Sequence, residues 1–93
     1  MLLSCHTISA SDVNTSTTLA RPCSSLLVKN DGADTVYVNI KTGVAAVTGT
    51  TNMPVLTGES VTFQSYANDI ILVGLICGTG DSASVRLVGG ARE

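Results

Sequence analysis

The feature that most constrains this chain is an apolar alternation of period two, interrupted every few residues by Gly, Asp or Pro. It is clearest in Thr35-Val36-Tyr37-Val38-Asn39-Ile40, where Val36, Val38 and Ile40 share one face and Thr35, Tyr37 and Asn39 the other. Successive strand side chains point to opposite faces, so this pattern marks a strand with one face in a core. The polar residues are mostly Thr, Ser, Asn and Gly, and the only glutamine is Gln64. Thr favours strands because its branched Cβ packs on a pleated surface, and the scarcity of Glu, Lys and Gln disfavours helices.

Residues 25–30, followed by Asp31-Gly32 and then by residues 35–40, predict a β-hairpin. In this reading Gly32 supplies the positive φ of a tight turn. Residues 69–77 are almost continuously apolar, as in a strand covered on both faces, and Gly74 within them marks a bulge or a close neighbour. They turn at Gly78-Thr79-Gly80-Asp81 into residues 82–88, where Val85 and Leu87 alternate with Ser84 and Arg86, a second predicted hairpin. Between the two, Met53-Pro54-Val55-Leu56 and Ser60-Val61-Thr62-Phe63-Gln64 flank a Thr57-Gly58-Glu59 turn, with Val61 and Phe63 inward. Pro54 cannot donate to a ladder, which puts its strand at an edge. Residues 13–19 read as a Thr-rich edge strand ended by Arg21-Pro22, an edge open to a strand from a neighbouring subunit. Residues 41–52 read as a long loop. Many short strands separated by turns imply an all-β fold. The expectation is a small antiparallel β-sandwich, jelly-roll or Ig-like, of about 7–8 short strands.

Ninety-three residues make one domain, and a domain this small gains stability from assembly with other copies. Residues 1–93 are read as that domain, with residues 1–11 as a possible N-terminal arm and 89–93 as a possible C-terminal tail. Charged residues are 13 % of the chain and the net charge is −2, about half the usual charged fraction. Weak surface charge eases self-association. Without a basic run, and with only Tyr37, Phe63 and Tyr66 as aromatics, there is neither an electrostatic footprint nor a stacking platform for nucleic acid. No apolar run approaches the roughly 20 residues of a membrane-spanning helix. Met1-Leu2-Leu3-Ser4-Cys5 lacks the basic and apolar regions of a secretory signal and reads as a first strand.

The residue types of familiar active sites do not assemble. The single histidine, His6, sits beside Cys5 in a candidate strand, where neighbours face opposite ways. Gly58-Glu59-Ser60-Val61-Thr62 lacks the last glycine and the helix of a nucleophile elbow. Gly43 to Gly49 has neither the spacing nor the lysine of a phosphate loop. Glu59 and Glu93 are the only glutamates, which gives no glycosidase-like pair. Cys5, Cys23 and Cys77 have no paired metal spacing and read as free thiols, with one bridge left open. Asp31, Asp34, Asp69 and Asp81 fall at turns; Ca²⁺ takes such oxygens, but Asp favours turns for its own reasons. The expectation is a non-enzymatic protein without cofactors.

Ser24-Ser25-Leu26-Leu27-Val28-Lys29-Asn30, Gly32-Ala33-Asp34-Thr35-Val36-Tyr37-Val38, residues 53–63 and Ala83-Ser84-Val85-Arg86-Leu87-Val88, taken in order, resemble a family of small phage-encoded β-domains of virion structural and head-associated proteins. Members usually have a shorter, Gly-rich loop where residues 41–52 stand. The resemblance implies a β-sandwich in the virion, assembled in the host bacterial cytoplasm. Its partners are then capsid, neck or tail proteins and copies of itself, and it implies no catalytic residues. The leading expectation is a capsid decoration, cement or head-completion protein acting as a homo-oligomer. The alternative is a tail- or fibre-associated module that recognises a cell-surface glycan, with Tyr37 and Tyr66 as its aromatics. Candidate interaction residues are Lys41, Thr42, Val44, Val47, Thr50 and Asn52 in the long loop, and Leu2 and Leu3 in the N-terminal segment.

Overall fold

A computed structural model describes residues 2–40 and 52–91, without the side chains of 2–4, 20 and 21. It contains β1 (Leu2–Ala10), β2 (Thr15–Cys23), β3 (Ser25–Asn30), β4 (Val36–Asn39), β5 (Met53–Val55), β6 (Ser60–Gln64), β7 (Ile70–Cys77) and β8 (Ala83–Ala91). No helix occurs among the described residues. Two four-stranded antiparallel sheets, ordered β1-β8-β3-β6 and β2-β7-β4-β5, pack face to face. The all-β sandwich expected from the alternation is the fold.

The pairing is nested: β1 with β8, β2 with β7, β3 with β6 and β4 with β5. This is the wiring of a jelly roll, one of the two topologies expected. The chain changes sheet at nearly every connection. The connections after β1, β3, β5 and β7 gather at one end of the sandwich.

Both predicted hairpins are corrected by this topology. β3 pairs with β6 and β8, whereas β4 pairs with β5 and β7. Residues 31–35 are therefore an arch between sheets, and so are residues 78–82 between β7 and β8. Alternation reports which residues face the core, and both arms of an arch face the same core. The role assigned to Gly32 changes with it. The positive-φ glycines among the described residues are Gly58 and Gly80. Gly32 is needed for closeness instead: a Cβ there would lie 2.4 Å from Ala83 Cα and 2.5 Å from Ser84 N.

The core follows the alternation. Leu26 and Val28 of β3, Val36 and Val38 of β4, Val73 and Leu75 of β7, and Val85 and Leu87 of β8 are all buried, with Val55, Cys23 and Cys77 beside them. Val61 and Phe63 pack against this cluster from β6, with Thr62 and Gln64 exposed, as expected. Fully burying one Val or Leu contributes about 1.5–3 kcal/mol. β7 departs from the reading of a strand covered on both faces, since Ile71 and Leu72 are 41 % and 37 % exposed. Leu72 lies on the outward face of the sheet, beside Thr18, and at Ile71 the partner strand is irregular. Thr18 pairs with Leu72 but Cys23 pairs with Ile70, so residues 19–22 of β2 bulge opposite Ile71 alone. Arg21-Pro22 does not end β2 but lies inside this bulge. Gly74 makes no bulge; it pairs in register with Ser16 and Asn39.

Within the segments 1–11 and 89–93, considered as an arm and a tail, the described residues 2–10 and 89–91 are strand. Leu2 pairs with Ala91, Leu3 with Gly90 and Ser4 with Gly89.

Candidate interaction surfaces

One end of the sandwich is organised by Asn30, which is fully buried. Its Nδ2 donates to the carbonyls of Asp34 at 2.7 Å and Val55 at 2.9 Å. Its Oδ1 accepts from Gly32 N at 2.9 Å. Its backbone N–H donates to Glu59 O, and its carbonyl accepts from Gly58 N. One side chain thus ties β3, the 31–35 arch, β5 and the Gly58 turn together, with both amide hydrogens and the amide oxygen satisfied. Sequence reasoning missed this role. The available signal was an Asn at an inward position directly before Asp-Gly, in a strand whose other inward residues are apolar.

The aspartates at this end serve the arches. Asp12 Oδ2 accepts from Gly80 N at 3.1 Å and Asp34 Oδ2 from Ser82 N at 3.0 Å, fastening the 78–82 connection. The Arg86 guanidinium hydrogen-bonds the Asp31 carboxylate and holds its pKa below the usual carboxylate value. Asp31 thus serves an ion pair with β8, and Asp34 a backbone N–H of the neighbouring arch. Asp34 and Asp81 also line an open depression of about 510 Å³ with Ala33, Thr35, Tyr37, Leu56, Thr57 and Gly78. The depression therefore presents one aromatic ring and two carboxylates.

The thiols separate in space. Cys23 lies opposite Ile70 and Cys77 opposite Val36, at the two ends of β7. The three cysteines form no disulfide, with Cys5 exposed and the other two buried. Burial pushes the Cys23 thiol up. Burial, with the nearby carboxylates of Asp34, Asp81 and Asp12, does the same at Cys77. Both therefore stay protonated and unreactive at neutral pH. Cys5 is exposed while His6 is half-buried, so the adjacent pair does face opposite ways. Among the described residues no three His, Cys, Asp or Glu side chains converge as metal ligands.

The outer face of the β2-β7-β4-β5 sheet is largely apolar. Tyr37 lies between Ile76 and Pro54 in one row across it, and Leu72 lies beside Thr18. Leu56, 57 % exposed, follows Pro54 and lies near Tyr37. By contrast, the outer face of the other sheet carries the ladder row Thr7-Arg86-Lys29-Ser60.

Of the residues expected to mediate interaction, Lys41, Thr42, Val44, Val47 and Thr50 lie outside the described residues. Asn52 is half-buried, and its Oδ1 accepts from Asn39 Nδ2 at 3.5 Å. Leu2 and Leu3 belong to an edge strand paired with β8. The structure does not bring Asn52 and the β1 residues to one surface: β5 and β1 lie at opposite edges of different sheets. Compared with known proteins, the chain matches no family model, no curated protein and no solved structure.

Proposed function

We propose that this chain is a non-enzymatic structural protein of a bacteriophage particle, a decoration, cement or head-completion protein that binds the capsid or neck as a homo-oligomer. The observation that carries the reading is the uncharged, apolar outer face of Leu72, Ile76, Tyr37 and Pro54 on a jelly roll. Exposed apolar patches on small domains mark contact sites. Jelly rolls serve widely as capsid and lectin domains, although a fold alone does not assign a function. The sequence resemblance to virion β-domains supplies the direction. The test is mass spectrometry and immunogold labelling of phage particles purified on a density gradient. Co-migration at a fixed copy number per particle is expected, and absence from the particles would overturn the reading.

A second reading, a glycan-binding module of a tail or fibre, is favoured by the depression that brings Tyr37 together with Asp34 and Asp81. An aromatic face flanked by planar acceptors suits a sugar ring and its hydroxyls. A reproducible glycan-array signal abolished by Tyr37→Ala would raise this reading above the first, and a blank array would remove it.

A further inference from the structure

Among the described residues, four strands form the edges of the two sheets: β1, β6, β2 and β5. Unpaired edges invite association and are usually blunted. β5 is three residues long and contains Pro54. β2 contains Pro22 and a register shift of several residues. β6 has only five residues. β1 is different. Its nine residues pair with β8 without a register shift from Leu2↔Ala91 to Ala10↔Ala83, and none of them is Pro, Asp, Glu, Lys or Arg.

The backbone groups of β1 that face away from β8 can be assigned. The carbonyls of Ser84 and Gly90 accept from Asp31 N and Ser24 N, so the even-numbered residues of β8 turn their main-chain groups towards β3. The odd-numbered ones turn towards β1, because these groups alternate along an antiparallel strand. Through the register, Leu2, Ser4, His6, Ile8 and Ala10 exchange bonds with β8. Leu3, Cys5, Thr7 and Ser9 therefore present their N–H and C=O groups outward, and the side chains of Cys5, Thr7 and Ser9 are exposed.

We infer that two copies of this chain pair through β1, antiparallel across a two-fold axis at His6, so that two four-stranded sheets become one continuous sheet. The inference rests on the homo-oligomer reading above and specifies its contact. With the axis at His6, Leu3 meets Ser9 and Cys5 meets Thr7, each twice, so every outward-facing residue of one copy finds one on the other. Shifting the axis by one residue either way leaves one of the four without a mate among these residues. A second copy suits this edge because the pattern is self-complementary along its whole length. The strand also has no Asp, Glu, Lys or Arg that would meet its own like across the axis. Such a contact is isologous and closes on itself, which protects the edge from open-ended pairing.

The natural cysteines supply the test. Cys5 is exposed and the other two thiols are buried, so maleimides react at Cys5 in the native protein. Across the inferred axis the Cys5 residues of the two copies are diagonal neighbours, roughly 7–8 Å apart. That is within reach of a short bis-maleimide. Sedimentation of the full chain is expected to give a dimer, and the cross-linker to convert it to a covalent dimer at protein concentrations where encounter between dimers is negligible. Thr7→Pro removes an outward N–H while leaving the ladder to β8. Thr7→Lys places like charges near each other across the axis. Each is expected to weaken dimerisation by about tenfold or more with the circular-dichroism spectrum retained. An oligomer that does not cross-link at Cys5, or that survives both substitutions, overturns the β1 pairing and leaves self-assembly standing. A monomer at every concentration overturns both.

Discussion

At the scale of single residues, the burdens fall on Asn30 and Gly32. Asn30→Ala leaves the carbonyls of Asp34 and Val55 and the N–H of Gly32 without their partner. The Val55 carbonyl is the buried one of the three, and stranding a buried group costs about 1–3 kcal/mol, so urea denaturation is expected to show a loss of at least about 1–3 kcal/mol. Gly32→Ala forces a methyl group against the backbone of β8 at Ala83. Neither backbone can yield as a flexible side chain would, and a loss of about 1–3 kcal/mol or more is expected by the same measurement. The buried thiols set a pH dependence. An unfolded cysteine ionises near pH 8.5, whereas Cys23 and Cys77 in the fold are held above the ordinary value. As pH rises above that of the unfolded thiol, the unfolded chain releases protons that the folded chain keeps, so stability falls. Melting temperatures between pH 8 and 10 are expected to decline, and Cys23→Ser/Cys77→Ser is expected to flatten the slope. Asn30 was not legible as a structural centre, because a polar residue in an alternating strand reads as outward unless its parity is compared with its neighbours'.

At the scale of elements, the inward residues of β4, β6 and β8 were legible from the alternation, and so was the edge position of the Pro54 strand. The partners of those strands were not. A hairpin and an inter-sheet arch place the same residues towards the core, so apolar periodicity cannot separate them. The decisive information is the long-range pairing of β1 with β8 and of β2 with β7, across most of the chain. The bulge of β2 was equally hidden: Arg21-Pro22 reads as a strand end, but the strand resumes at Cys23 because Cys23 is buried beside Ile70. Protection should follow sheet position. Amide exchange followed by NMR is expected to be slowest in β8, β3, β7 and β4, which have neighbours on both sides, and fastest in β5 and β6. Slow exchange at Leu3, Cys5, Thr7 and Ser9, whose N–H groups face away from β8, would be the signature of a paired β1 edge.

At the scale of the whole molecule, the nested pairing explains what the chain offers to a partner. Among the described residues it leaves four strands at sheet edges and one sheet face that includes the uncharged Leu72, Ile76, Tyr37 and Pro54. With charged residues at 13 %, little on this surface opposes close approach of another copy or another protein. Of the residues expected to mediate interaction, Leu2 and Leu3 belong to the edge strand β1, paired with β8, and not to a free arm.

The nested topology is tested most directly by Hα–Hα nuclear Overhauser effects, which are strong only across non-hydrogen-bonded antiparallel pairs. Cross-peaks are predicted for Cys5 with Val88, Thr7 with Arg86, Val28 with Leu87 and Leu27 with Thr62. Cross-peaks joining residues 25–30 to residues 35–40 instead would contradict the account, because they would make a hairpin of the arch that sends β3 and β4 into opposite sheets.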